Sequence, residues 1–226
     1  MNKSEEISKP DISEQVSEGR KFTWQERFCA WIWGCDLYQP APPKLKQYNT
    51  FYEYEQDAQR VMSLDKNKFG LLRDSGVGLV TEVAEVVDVF KRNWVYKTPL
   101  DINHLKEEIG DVLWYLALGH YAMGINMADY LVMSYPSKDM TLAKMVRYSS
   151  NIMATTYAYP ENGLDCGMEH DLRELLKSVF WLCEHMEFDI YEIAAMQTRK
   201  MEIRYPNGFD PVKGSHAGRN LAAEAA

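Results

Sequence analysis

The sequence predicts an all-α protein, and three observations carry that reading. Its apolar runs repeat with a helical period rather than with the alternation of strands. Two acid-x-x-acid pairs, Glu82-Val-Ala-Glu85 and Glu108-Ile-Gly-Asp111, sit inside such runs, where residues three apart leave a helix from one face. Capping and helix-breaking residues punctuate the chain between the runs.

The elements follow in order. Residues 1–20 are polar and read as a tail, and 22–38 are dense in aromatics (Phe22, Trp24, Phe28, Trp31, Trp33, Tyr38), an arm that packs on the body or on a second subunit. Pro40-Ala-Pro-Pro43 is a linker. The all-α domain is expected over 44–210, with a flexible tail over 211–226. Its first helix spans about Tyr48 to Met62. The next has an ill-defined start among Gly70, Gly76 and Gly78 and continues through Arg92, with a loop over Asn93–Lys97. Thr98-Pro99-Leu100-Asp101 reads as a helix start, with Thr98 as N-cap and Pro99 at the first helical position. That helix ends near Gly124. Asn126 caps a short helix to about Met133, and Pro136 breaks the chain. A helix follows over Met140–Tyr157, then a loop over Tyr159–Gly167. Two helices over about 169–187 and 190–203 close the domain, the last capped by Asp189.

Acid pairs of this spacing are common: with 33 Asp and Glu in 226 residues, about five should arise by chance. The two pairs stand out because of their neighbours. Leu79, Val80, Val83, Val86 and Val87 surround the first, and Ile109, Val112, Leu113 and Leu116 the second. A helix apolar nearly all round is buried, and buried carboxylates need a partner. Two such helices packed together bring four carboxylates to one point, where a divalent cation removes their repulsion. All-oxygen ligands suit Mg²⁺, with Mn²⁺ as the alternative.

The stretch from Gly78 to Ala117 resembles the MazG-type all-α nucleoside triphosphate pyrophosphohydrolases, whose pattern is Glu-x-x-Glu, a variable gap, then Glu-x-x-Asp. Here the gap between Glu85 and Glu108 is 22 residues, and the second block reads Lys106-Glu-Glu-Ile-Gly-Asp-Val-Leu-Trp-Tyr-Leu116. A further matching block is Lys200-Met-Glu-Ile-Arg-Tyr-Pro-Asn-Gly-Phe209. Family members often carry Asn three residues before that Lys. This chain has Gln197, and no role is carried to it.

The resemblance implies a four-helix-bundle-like fold and Mg²⁺-dependent hydrolysis of a nucleoside or deoxynucleoside triphosphate to the monophosphate and pyrophosphate. Glu82, Glu85, Glu108 and Asp111 would be the metal ligands, with Glu82 or Glu85 instead serving as the base. Lys200 and Arg204, four apart on one helix face, are candidates for the outer phosphates; the bland alternative is a terminal turn complementing the helix dipole. Lys97 is a weaker phosphate candidate, and Tyr115 and Trp94 are candidates for sugar or base, with core packing as the competing reading. Glu107 reads as surface. A dUTPase-like all-α enzyme and a non-catalytic helical nucleotide-binding or assembly module are the alternatives.

An internal repeat is also visible. His104–Trp114 aligns with Asp171–Trp181 and, after a small gap, Asn126-Met-Ala-Asp with Asp189-Ile-Tyr-Glu. In that register Glu108 and Asp111 become Leu175 and Ser178, so a degenerate repeat over about 140–205 follows an active one over about 70–134. If so, one chain builds a bundle that single-repeat members make as oligomers.

The net charge of −8 disfavours nucleic-acid and anionic-membrane partners, and no signal peptide or membrane span is read. Cys29, Cys35, Cys166 and Cys183 form no CxxC pair, so reduced thiols in the cytoplasm are expected and a catalytic cysteine is disfavoured. The histidines form no Glu-x-x-His pair, against a di-iron bundle. A homo-oligomer is expected.

Overall fold

A computed structural model describes residues 44–62, 66–131, 142–158 and 166–214. Among them are eight helices and no strand: α1 Phe51–Gln59, α2 Lys68–Tyr96, α3 Ile102–Met123, α4 Ala128–Leu131, α5 Leu142–Ala158, α6 Cys166–His185, α7 Ile190–Arg204 and α8 Pro211–Gly214. The expected all-α class holds. The polar tail, the aromatic arm, the proline linker and the break at Pro136 lie outside the described residues.

Two antiparallel hairpins, α2–α3 and α5–α6, build the bundle, with α2 against α5 at its centre and α7 laid along α3. Leu72, Leu79, Val86, Leu105, Ile109, Leu113 and Leu116 fill the first hairpin's core, and Met145, Ile152, Leu172 and Leu176 the second's. Close approach depends on small residues. Ser75 Oγ donates to the Tyr115 carbonyl at 2.8 Å, and Gly76 passes Met153 of α5 so closely that a Cβ would lie 3.0 Å from its Cα.

Gly78 is the sharpest case, because a Cβ there would fall 2.3 Å from the Tyr115 ring. In an ordinary helix interior Gly→Ala stabilises by about 0.5–1 kcal/mol. Here overpacking reverses the sign, so Gly78→Ala is expected to destabilise by about 1–3 kcal/mol in urea unfolding. A stabilised variant would show that the ring moves aside without strain.

Several boundaries differ from expectation for local reasons. Helix α2 runs four residues past Arg92, to Tyr96, and ends at Lys97 in the left-handed conformation (φ 58°). The next helix does not start with Thr98 as cap. Asn93 Nδ2 donates to the Thr98 carbonyl at 2.8 Å, Pro99 stays outside the helix, and Asp101 caps α3 by accepting from the His104 N–H at 3.1 Å. Asn126 does not cap α4: its amide reaches Asp129 at 3.3 Å. Buried Glu55 of α1 serves instead, accepting from the Met127 N–H at 2.7 Å and from that of Ala128. Burial raises this carboxyl to about 7. The tail expected from 211 opens with the single turn of α8.

The ends of α3 and α6 share one capping geometry. After α3, Gly124 is left-handed (φ 72°), its N–H bonds Tyr121 and the Ile125 N–H bonds His120. After α6, Glu187 is left-handed (φ 57°), its N–H bonds Glu184 and the Phe188 N–H bonds Cys183. The two caps are the same motif. Counted back from them along two uninterrupted helices, Leu105 pairs with Met168, Ile109 with Leu172, Leu113 with Leu176 and Leu116 with Val179, all fully buried. No gap is needed. In this count Glu108 falls opposite Asp171 and Asp111 opposite Glu174, where the sequence alignment puts Leu175 and Ser178.

The second hairpin therefore retains an acid pair but neutralises it internally. Asn151 hydrogen-bonds Asp171, with the Arg147 and His170 charges nearby. Glu174 accepts from Lys177 at 2.7 Å.

Candidate functional site

Helix α2 supplies Glu82 and Glu85, and antiparallel α3 brings Glu108 and Asp111 alongside. One carboxylate oxygen from each of Glu82, Glu108 and Asp111 lies within 4.8 Å of the other two. Glu108 is buried, and Glu82 and Asp111 are partly so. Glu85 is exposed and outside this close triad, although its charge still acts on Glu82 and Glu108.

Electrostatics record the crowding. Burial, then the charges of Glu85, Asp111 and Glu82, push Glu108 up to about 8. Burial, then Asp111 and Glu85, raise Glu82 to about 7. His104 Nδ1 lies 3.3 Å from Glu108 Oε1. The three converged groups are all carboxylates, so they fit a hard, oxygen-seeking divalent ion, which would replace the protons that the raised carboxyls retain.

Helix α7 forms the electropositive wall. Lys200, buried on the bundle, donates from Nζ to Asp111 Oδ2 at 2.5 Å and lies 3.4 Å from Glu107 Oε1. Arg204, one turn later, is near enough to Tyr115 for its charge to act on that phenol. Burial, then Glu82 and Asp111, push Tyr115 to about 12, so this half-buried ring stands at the edge of the carboxylates as well as packing on Gly78. Polar contacts hold α7 in place. Tyr48 Oη lies 2.7 Å from Asp57 Oδ2 and 3.0 Å from Thr198 Oγ1. Arg60 joins Glu202 at 2.7 Å, and Lys106 joins Glu192 at 3.0 Å.

The structure thus draws Glu82, Glu108, Asp111, Tyr115 and Lys200 together, with Glu85 at the rim. Trp94 and Lys97 stand apart. Both are exposed at the end of α2, with Trp94 about 13 Å along the axis beyond Glu85 and its ring against Phe90, 5.5 Å between centroids. Glu107 is exposed, as expected, but pairs with Lys200. Sequence reasoning assigns nothing to Gln197, yet it is fully buried and donates from Nε2 to Asp111 Oδ1 at 2.7 Å. Its position three residues before Lys200 is the available signal, since that spacing puts both on one face. Burial pushes the Cys183 thiol up to about 12, which leaves it inert as a nucleophile.

No helix among the described residues is long and apolar enough to cross a membrane. No curated protein and no solved structure matches the chain. Residues 76–132 match the model of the MazG nucleotide pyrophosphohydrolase domain, and this segment contains all four acids of the two motifs. The segment carried on α2 and α3 is therefore similar to the MazG nucleotide pyrophosphohydrolase domain.

Proposed function

We propose that the protein is a Mg²⁺-dependent hydrolase that cleaves nucleoside or deoxynucleoside triphosphates between the α- and β-phosphates, releasing the monophosphate and pyrophosphate. The observation that carries this reading is the convergence of Glu82, Glu108 and Asp111 beside Lys200. Glu82, Glu108 and Asp111 would hold the metal, Mg²⁺ in preference to Mn²⁺. When bound, the ion supplies positive charge against the polyphosphate and polarises the α-phosphoryl group.

The chain's own residues do the rest. Glu85, exposed at the rim and outside the close triad, would act as the base. A water oxygen bonds to the α-phosphorus, its proton passes to the Glu85 carboxylate, and the bond from the α-phosphorus to the bridging oxygen breaks. The bridging oxygen leaves with pyrophosphate. Lys200 and Arg204 face the outer phosphates, Tyr115 flanks the sugar or base, and Trp94 and Lys97 are left for a ligand extending along α2. Pyrophosphate release from a panel of ribo- and deoxyribonucleoside triphosphates, with and without Mg²⁺, tests the reading. Binding without release on every member would favour a non-catalytic module, and release from dUTP alone a dUTPase-like enzyme.

Lys200→Ala is expected to raise KM for the triphosphate about ten-fold or more, the loss of one charge-assisted contact worth about 1.5–3 kcal/mol. Steady-state kinetics at saturating Mg²⁺ check this. An unchanged KM would confine Lys200 to its contact with Asp111.

A further inference from the structure

We infer that Gln197 is a positioning residue that fixes the orientation of Asp111 toward the metal. The inference rests on the metal-dependent reading of the site, not on the identity of the nucleotide.

Asp111 accepts at both oxygens from α7. Oδ1 takes the Gln197 amide at 2.7 Å and Oδ2 takes Lys200 at 2.5 Å. The two donors differ in kind. Lys200 is a flexible cation whose charge a bound metal replaces and which incoming phosphates compete for. Gln197 is neutral, and only 2% of it is exposed. Its bond to Asp111 therefore persists whether the charge beside Oδ2 is Lys200 or a metal. Each carboxylate oxygen has two lone-pair directions, so tying one direction of Oδ1 to a fixed donor leaves the rest of the carboxylate aimed at Glu82 and Glu108.

The sequence between the two metal-binding acids of α3 makes room for this amide. A Cβ on Gly110 would come 3.2 Å from both Cβ and Oε1 of Gln197. The missing side chain lets the Gln197 stem lie on the α3 backbone, one residue from the carboxylate that it orients. Asn would be one methylene short of this reach, so the distance between α3 and α7 suits the longer amide.

Mg²⁺ affinity, measured by isothermal titration calorimetry without nucleotide, tests the inference on the full chain. Gln197→Met keeps the length and removes the donor, and Gln197→Asn keeps the donor and removes the reach. Both are expected to weaken Mg²⁺ binding about ten-fold or more, as loss of a ligand-orienting partner does, while far-UV circular dichroism stays unchanged. Asp111→Glu moves the carboxylate outward by one methylene. Combined with Gln197→Asn it should bind Mg²⁺ better than the sum of the single losses allows. Wild-type affinity in a folded Gln197→Met, or strict additivity in the cycle, would overturn the positioning role alone. A wild-type chain that binds no divalent ion would overturn this role and the proposed function together.

Discussion

Glu108→Gln is expected to lower turnover at least about a hundred-fold while stabilising the metal-free protein. Loss of one charged contact at a reaction centre costs about that much or more, and Glu108 is the most buried acid of the converged set. The second effect follows from the same crowding. Burial and four neighbouring acids hold the Glu108 carboxyl near 8, so ionising it at pH 8 opposes folding. A neutral amide of the same shape removes that opposition. Pyrophosphate release and urea unfolding at pH 8 without metal read the two effects. A variant with wild-type turnover, or one less stable than wild type without metal, would contradict this account of Glu108.

Without metal, stability is expected to fall as pH rises from about 5 to about 8, and Mg²⁺ is expected to reverse much of that fall. The sign comes from raised carboxyls. Glu82 at about 7 and Glu108 at about 8 bind protons in the folded state that the unfolded chain has released from about 4.5 upward. Their stabilisation is complete below the unfolded value and is lost as pH passes through the folded values. Glu55, also near 7, adds a slope of the same sign that Mg²⁺ does not relieve. Metal binding displaces the shared protons, so calorimetry near pH 7 should show proton release that varies with buffer ionisation enthalpy. At one hundred times its dissociation constant, Mg²⁺ should restore about 2.7 kcal/mol. A metal-free stability that is flat or rising over this window would refute the convergence of these acids.

Whatever repeats locally is legible in the sequence. Helical period gives the class, and the apolar neighbours of Glu82, Glu85, Glu108 and Asp111 distinguish these acids from chance pairs. A spacing of four puts Lys200 and Arg204 on one helix face. What is not legible depends on contacts between distant segments. Thr98-Pro99 has every mark of a helix start, but Asn93 binds the Thr98 carbonyl, and no local pattern reports that. Glu55 looks like a surface acid on a mixed helix until α4 offers it two N–H groups. Glu85 is indistinguishable from Glu82 in the motif, and only the packed hairpin sets one inside the triad and the other at its rim. The repeat read from the sequence rests on Trp114 and Trp181, and a count from the two left-handed caps, only one of them a glycine, differs from it by one helical turn.

The paired hairpins leave the candidate site divided between two stretches of the chain. The first half holds the acids, and the second half supplies Gln197, Lys200 and Arg204 while its own Asp171 and Glu174 answer to Asn151 and Lys177. The two halves are bound to a common fate: a change at the α3–α7 contact alters the chemistry of a centre whose four carboxylates all lie in the other half.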